Sequence, residues 1–357
     1  MHKLMATSTI LDHELSDLRM LVERQTGIVL DCPNSALGAH VADYLEAQEL
    51  GSSAALLDRL RSSEQDSSAV SSFLDGLVNS NSGFFRHQGA LNALARLVVP
   101  QLCARKSIDG PSPLRIWSAG CSTGEETYSI AMAVCDALSQ AGTIPANIAT
   151  NANVGNSAGV KNARTGGIAD SGIAATAKAV PAFSLHIVGS DLLRRNIEAA
   201  DRGVYPQSAV EGLPPATIRT YFSKIATPPI AAYHDEVEKL SKNGISSPGQ
   251  DCRVSVPHLL VKPRLRSLVT FNCMNLARPG YIGRFDIIFC MDVMPHLSRA
   301  QRIALLERLH LYLEPGGYLF LSQTEKLATS NLNFRSETFD GYTFHRKPLA
   351  ASAAYGR

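Results

Sequence analysis

The sequence predicts an α/β protein with a separate all-helical block at its N-terminus, and three observations carry this. Residues 10–76 show only helical spacing of apolar side chains, with Leu11, Leu15, Leu18, Leu21 and Val22 recurring along the first segment. From residue 107 onward, strand-length apolar runs alternate with helix-length segments: LRIWSAGC then EETYSIAMAVCDAL, SLHIVGSD then LLRRNIEAADRG. That order of strand, turn and helix is the βα unit of an open, mostly parallel sheet. FDIIFCMDVM at 285–294 has the unbroken apolar character of a strand buried on both faces.

Along the chain, Thr26-Gly27 stops the first helix, because glycine adopts the left-handed cap without a Cβ penalty. Further helices are expected at 36–49, 53–61 and 67–78, and another at 87–105. IDGPSP then punctuates the start of the α/β part. Residues 141–181 are dominated by Ala, Gly, Asn and Thr, too poor in large apolar groups to offset ordering entropy, and predict a flexible insertion. Residues 204–263, rich in Pro, Gly and Ser, predict a small subdomain between sheet units, with a loop excursion at 226–256. SLVTFNC reads as a strand. SRAQRIALLERLHLYL reads as a helix with Ser298 as N-cap, and PGG turns into the strand YLFLSQT. FRSETFDGYTFHRK closes the chain as an antiparallel hairpin.

Composition excludes several function classes. The 357 residues are 45% apolar and 18% charged, which excludes global disorder. The 34 basic and 32 acidic side chains leave a formal +2, so no whole-chain field draws the protein to nucleic acid or a membrane surface. No run of about 18 apolar residues suggests membrane insertion. Asp12 and Glu14 come too early for a signal-peptide core. Seven cysteines without CxxC pairing argue against a disulfide framework or structural zinc and predict a reducing, cytoplasmic setting.

The chemistry concentrates in WSAGCSTGEETYSIA at 117–131. Its small residues let backbone approach a ligand at the end of the first strand, where dinucleotide folds hold a pyrophosphate. Here Glu125 and Glu126 open the helix and would repel a phosphate, so the ligand expected is cationic. S-adenosyl-methionine carries a sulfonium and an ammonium and no phosphate. Asp191, ending the second strand, reads equally as a ribose contact or a helix cap; beside the first motif the ribose contact is favoured. Asn275 suits an adenine edge or a turn equally well. Asp292, inside an apolar strand, requires partners. Arg86, flanked by Phe84 and Phe85, reads as a carboxylate clamp or as a surface arginine on an aromatic face.

NSGFFR, RIWSAGCSTGEETYSIAMA, GSD before a helix ending GVYP, VTFNCMNL, FDIIFC and LEPGGYLFLSQTEKL occur in one order. Together they resemble the CheR-type chemotaxis receptor methyltransferases, as does LVERQTGIVL in the opening helix. The resemblance implies an N-terminal helical domain at 1–78 and a connecting segment and helix at 79–106. A Rossmann-like, S-adenosyl-methionine-dependent methyltransferase domain at 107–348 would follow, with a small antiparallel β-subdomain at 205–263 and a tail at 349–357. It implies protein-glutamate O-methyltransferase activity on the cytoplasmic domain of a chemoreceptor, with S-adenosyl-homocysteine as product, in a monomeric enzyme. Carried over by position, Ser82 stands where the family has Thr, and Arg86 is the arginine of FFR. Ala119 and Gly120 match the ligand loop, Glu125 the contact to the cofactor's amino group and Asp191 the ribose contact. Asn275 and Leu276 match the pair near the adenine. Arg86 and Asp292 also count among the cofactor positions. Arg86 is expected to hold the acceptor carboxylate, and His296, in place of a family tyrosine, to offer it a hydrogen bond. MDVMPHL at 291–297 departs from the family pattern: a family Asn has become Asp292, and GHSE has become SQTE at 322–325. These departures motivate an alternative, a non-catalytic signalling module that binds the cofactor or its product. An oxidoreductase with a nucleotide cofactor fits the sheet but not the Glu125-Glu126 pair.

Overall fold

Strand β1 (Leu114–Ala119) shows how the sheet is buried on both sides: Leu114 and Ile116 enter one core, Trp117 and Ala119 the other. The computed structural model describes residues 10–62, 68–78, 82–109, 113–142, 184–225, 257–280, 282–325, 327 and 332–349. Of the predicted insertions, residues 143–181 and 226–256 lie outside the described residues. Strands β2 (Leu185–Asp191), β6 (Val269–Cys273), β7 (Phe285–Cys290), β8 (Leu313–Leu321), β9 (Arg335–Phe339) and β10 (Tyr342–Arg346) complete a sheet ordered β6-β2-β1-β7-β8-β10-β9. Pairings among β6, β2, β1, β7 and β8 are parallel, and β10 runs antiparallel to β8 and β9. A second sheet, β3 (Val204–Pro206), β4 (Phe222–Ile225) and β5 (His258–Val261), is antiparallel in the order β3-β5-β4.

Helices cover both faces of the large sheet, as a parallel sheet requires. The predicted helix at 87–105 is α5 (Gln88–Ala93) and α6 (Val99–Asp109), joined by a π-helical turn at Leu94–Val98. With α7 (Glu125–Gln140) it buries Leu91, Val98, Leu102, Ile130 and Val134 against one face. After α8 (Arg194–Arg202), α9 (Pro215–Tyr221) and α10 (Pro263–Arg266), helix α11 (Arg299–Tyr312) covers the opposite face through Leu305, Leu306 and Leu309.

Two expectations are corrected here. Ser298 stands at the N-cap of α11, but its hydroxyl makes no capping bond. Its backbone serves instead, accepting from Arg302 N–H at 2.9 Å and donating to the Gly27 carbonyl at 3.2 Å. PGG is no turn between elements; β8 runs through it, with Gly316 at φ +76°.

The N-terminal helices α1 (Asp12–Thr26), α2 (Asn34–Ala47), α3 (Ser53–Ser62) and α4 (Ser68–Leu74) share a core of Leu18, Val22, Leu37, Leu56, Phe73 and Leu74. Leu193, just before α8, is buried in the same core and ties it to the sheet. Gly27 ends α1 in the left-handed conformation, φ +73°, with its N–H on the Glu23 carbonyl. The chain then pairs with the α/β part: Ile28 bridges Leu297, and Val29 N–H donates to the His296 carbonyl at 2.9 Å.

The buried Asp of β7 is Asp286, 3% exposed, which meets Lys106 Nζ at 3.0 Å and accepts from Arg115 N–H at 2.9 Å. Gly124, at φ +96°, lets α7 start directly beside α8; a Cβ there would lie 2.7 Å from Ala200 Cβ and 3.0 Å from Tyr205 Oη. Gly124→Ala is expected to destabilise the protein by about 2–4 kcal/mol, combining left-handed strain with overpacking. Chemical denaturation checks this, and an unchanged midpoint would show that the turn relaxes freely.

Candidate functional site

Strand order reverses beside β1, since β2 lies on one side and β7 on the other. In open α/β sheets the crevice at such a reversal, outside the carboxyl ends of the strands, is the ligand site. A cavity of about 320 Å³ opens there. Gly120 and Ser122 of the β1–α7 loop, Glu126 of α7, Asp191 at the end of β2 and loop residues after β6 and β7 line it. Backbone strain gathers around it. Phe85, Ser122 and Asp292 all have positive φ, at 53°, 49° and 56°, a conformation that costs non-glycine residues about 1–3 kcal/mol each.

The FFR segment owes its position to packing. The Phe84 ring meets Tyr205 and Phe222 of the small sheet edge-on at 4.9 and 5.3 Å. Phe85 N–H donates to Ser129 Oγ on α7 at 2.9 Å. With its two neighbours fixed, Arg86 borders the cavity. Its guanidinium Nη2 pairs with Asp292 Oδ2 at 3.2 Å. His87 Nε2 meets the same oxygen at 3.2 Å. Asp292 is placed beyond the strand rather than inside it, because β7 ends at Cys290. It is part-exposed rather than buried, and its partners are Arg86 and His87.

Further acidic groups lie near this cluster. Burial pushes the Glu126 carboxyl up to about 7, with Asp292 and Glu325 adding repulsion while Ser118 Oγ, donating at 2.7 Å, and Arg86 oppose the shift. Its residual exposure is to the cavity. Burial also raises Asp191, against bonds from Leu193 N–H, the Asn196 amide and Ser122 N–H, and it raises Glu325 likewise. Arg86 near Glu126 and Arg195 near Asp191 offset only part of this burial cost, and a cation in the cavity would offset more.

Glu125 is not at the cavity. Its carboxylate is buried and accepts from Thr123 Oγ1 at 2.7 Å, while Glu126, the next residue, faces the ligand space. Adjacent residues on a helix point about 100° apart, so one of the pair had to turn away. Ala119 is fully buried below the loop, and Gly120 makes the approach instead; a Cβ there would lie 2.4 Å from Val293. Ser82, Leu276 and His296 border the cavity, His296 at its exposed rim. Asn275 borders it too, but its amide bridges the domains: Nδ2 donates to the Gln25 carbonyl at 2.7 Å and Oδ1 accepts from Ala277 N–H at 2.9 Å. His87 and Glu126 are the site residues that the sequence reading did not assign.

Asp191 does not cap α8, whose N-cap is Leu193, but it braces the turn that leads into that helix. Oδ1 accepts from Leu193 N–H at 2.9 Å and from Asn196 Nδ2 at 3.0 Å, and Oδ2 accepts from Ser122 N–H at 2.9 Å. A carboxylate has about four acceptor positions, so one remains on Oδ2 for a ligand hydroxyl. Asp191→Ala is expected to weaken binding of S-adenosyl-homocysteine by about 1–3 kcal/mol and to lower the melting temperature, since three N–H donors lose their acceptor. Calorimetry together with thermal unfolding checks both; unchanged affinity removes Asp191 from the ligand contacts.

The residues fit S-adenosyl-methionine. Buried acids await a cation, Gly120 gives close approach, and the buried hydroxyl of Ser122 has no partner in the cavity wall. The model of the family "CheR methyltransferase, SAM binding domain" matches residues 80–179 and 247–342. The chain belongs to the CheR methyltransferase family. CheR relatives include chemotaxis protein methyltransferase 1 of Pseudomonas aeruginosa, 28% identical over 320 residues, 88% of this chain and 90% of the relative. The chemotaxis protein methyltransferase of Vibrio parahaemolyticus is 25% identical over 327 residues, 90% of this chain and 92% of its own length. A solved magnesium protoporphyrin IX methyltransferase from Synechocystis, with S-adenosyl-methionine bound, is 14% identical with a TM-score of 0.27, covering 79% of this chain and 94% of that one. The family match and the named relatives make the chain an S-adenosyl-methionine-dependent methyltransferase of the CheR type. The two matched CheR segments contain Ser82, Arg86, Gly120, Glu126, Asn275, Asp292 and His296, and Asp191 falls between them.

Proposed function

We propose that this chain methylates glutamate side chains on the cytoplasmic domain of a chemoreceptor, leaving glutamyl methyl esters and S-adenosyl-homocysteine. The observation that carries this is the split polarity of one cavity, with acids Glu126 and Asp191 in its wall and Arg86 at its edge. An acidic wall suits a cationic methyl donor, and a guanidinium suits an anionic acceptor. The names of the relatives, chemotaxis protein methyltransferases, support the choice of acceptor.

S-adenosyl-methionine, when bound, supplies a methyl carbon made electrophilic by its sulfonium. A carboxylate is already a nucleophile at neutral pH, so the chain needs no general base; it must orient and exclude water. Glu126 attracts the cationic end of the cofactor, Asp191 takes a ribose hydroxyl on its remaining acceptor position, and Met274 and Leu276 give the adenine an apolar bed beside Asn275. Gly120 leaves room for close approach, and the Ser82 and Ser122 hydroxyls offer polar contacts. Arg86 holds the acceptor carboxylate, and His296 at the rim offers it a hydrogen bond. The enzyme is read as a cytoplasmic monomer; among the described residues no helix is long and apolar enough to cross a membrane.

The test is transfer from S-adenosyl-methionine carrying a tritiated methyl group to a purified receptor cytoplasmic domain. Label that mild base releases as methanol is expected, because glutamyl methyl esters hydrolyse readily. Tight binding of S-adenosyl-homocysteine without any base-labile label would reject this acceptor.

A further inference from the structure

Arg86 and His87 both reach a single carboxylate oxygen, Asp292 Oδ2, at 3.2 Å each. A carboxylate on the guanidinium is the contact that an acceptor glutamate would make. Asp292 therefore occupies, from within the chain, the place of the acceptor's own charged group. We infer that Asp292 is an internal stand-in for the acceptor carboxylate, and that His87 is a positioning residue that keeps hold of Asp292 when the acceptor takes over Arg86. This rests on the proposed methylation of an acceptor carboxylate.

The surroundings support an exchange. The Asp292 side chain is 35% exposed and that of Arg86 43%, so the pair lies where an incoming group can reach it. The His87 side chain is 23% exposed and borders the same cavity. Asp292 is held by its backbone in the left-handed region, φ +56°, which limits where its side chain can go when displaced. If Arg86 turns to the acceptor and Asp292 has no second cation, a part-buried charge is left unpaired at high cost. His87 removes that cost by remaining on Oδ2. The exchange replaces one carboxylate with another on Arg86, breaks no covalent bond and draws a proton onto His87. The other titratable groups around it are Glu126 on α7, Glu325 after β8 and Tyr342 on β10, each coupled electrostatically to Asp292. Burial and the Arg86 charge lower the proton affinity of His87, and Asp292 raises it.

The experiment is a double-mutant cycle on the full chain saturated with S-adenosyl-methionine, reading KM and kcat for the receptor domain. His87→Gln should raise KM for the acceptor about three- to tenfold with kcat within about twofold, the size of effect expected when a part-exposed charge contact is lost. Asp292→Asn should lower KM, and in that background His87→Gln should change KM by less than about twofold, because there is no carboxylate left to hold. An equal rise of KM in both backgrounds, or a fall in kcat with KM unchanged, overturns the inference. If the wild-type chain labels no receptor, the acceptor assignment fails, and the contact is then judged separately. NMR titration of the His87 imidazole in the S-adenosyl-homocysteine complex should give a lower midpoint in Asp292→Asn than in wild type. Equal midpoints would show that His87 and Asp292 do not act together and overturn the inference.

Discussion

Replacing Glu126 with Gln is expected to weaken S-adenosyl-methionine binding about tenfold to a hundredfold, while stabilising the cofactor-free protein above pH 7 by about 3 kcal/mol. Both effects come from one cause. Burial holds the Glu126 carboxyl near 7, against 4.5 for an ordinary glutamate. The folded protein thus binds this proton more tightly than the unfolded chain. As pH rises from 4.5 towards 7, the unfolded chain ionises first, and stability falls across that window and stays low above it. The glutamine has no proton to lose, so this position no longer contributes to the fall, and the Ser118 hydroxyl keeps a partner. The same ionised carboxylate attracts the sulfonium and ammonium of the cofactor. Wild-type affinity should therefore rise with pH through 7, with proton release on binding below it. Denaturant unfolding at pH 5 and pH 8, with calorimetry in two buffers of different ionisation enthalpy, reads all three quantities. A pH-independent affinity, or a glutamine variant no more stable at pH 8, would mean that Glu126 is not the buried acid facing the cation.

The contrast between Glu125 and Glu126 marks the limit of what the sequence could tell. CSTGEE identified a loop made for backbone approach and a helix opened by acids, and that loop lies at the cavity. Which acid faces the ligand depends on the phase of α7, and α7 is apolar on more than one side, so periodicity gives no preferred choice. Asp191 was legible because the end of a strand fixes where a side chain emerges. Asn275 was legible in position and not in role; the bond from its amide to the Gln25 carbonyl crosses 250 residues, and no local pattern encodes such a contact.

The π-helical turn between α5 and α6, the Phe84 contacts with the small sheet and the Arg86–Asp292–His87 cluster were hidden for the same reason. Each depends on tertiary neighbours. The only local sign of His87 was a titratable side chain directly after FFR. Asp292 stands out among apolar neighbours, but β7 ends four residues before that apolar run does, and the acid turns back to Arg86.

Arg86 provides the second large effect. Arg86→Lys is expected to lower kcat/KM for methyl transfer about a hundredfold, and Arg86→Ala about a thousandfold, the range seen when a preorganised donor to a reacting oxygen is removed. Lysine keeps the charge and loses the planar fork, so a carboxylate is attracted but not held in one orientation. Transfer requires the acceptor oxygen in line with the methyl carbon and sulfur, and orientation is where most of the rate is gained when the nucleophile needs no activation. Binding of S-adenosyl-homocysteine should change by less than about threefold in both variants, because Glu126 and Asp191, not a guanidinium, attract the cofactor's ammonium and ribose hydroxyls. Removing the guanidinium also leaves Asp292 with His87 as its partner, so the variants should be compared at pH 6 and pH 8. A protonated His87 compensates the lost charge at the lower pH, and the stability deficit of Arg86→Ala should therefore be smaller at pH 6 than at pH 8. If Arg86→Ala weakens S-adenosyl-homocysteine as strongly as it slows transfer, Arg86 belongs to the cofactor's binding set, and the acceptor carboxylate is held by another group at the rim, with His296 the first to examine.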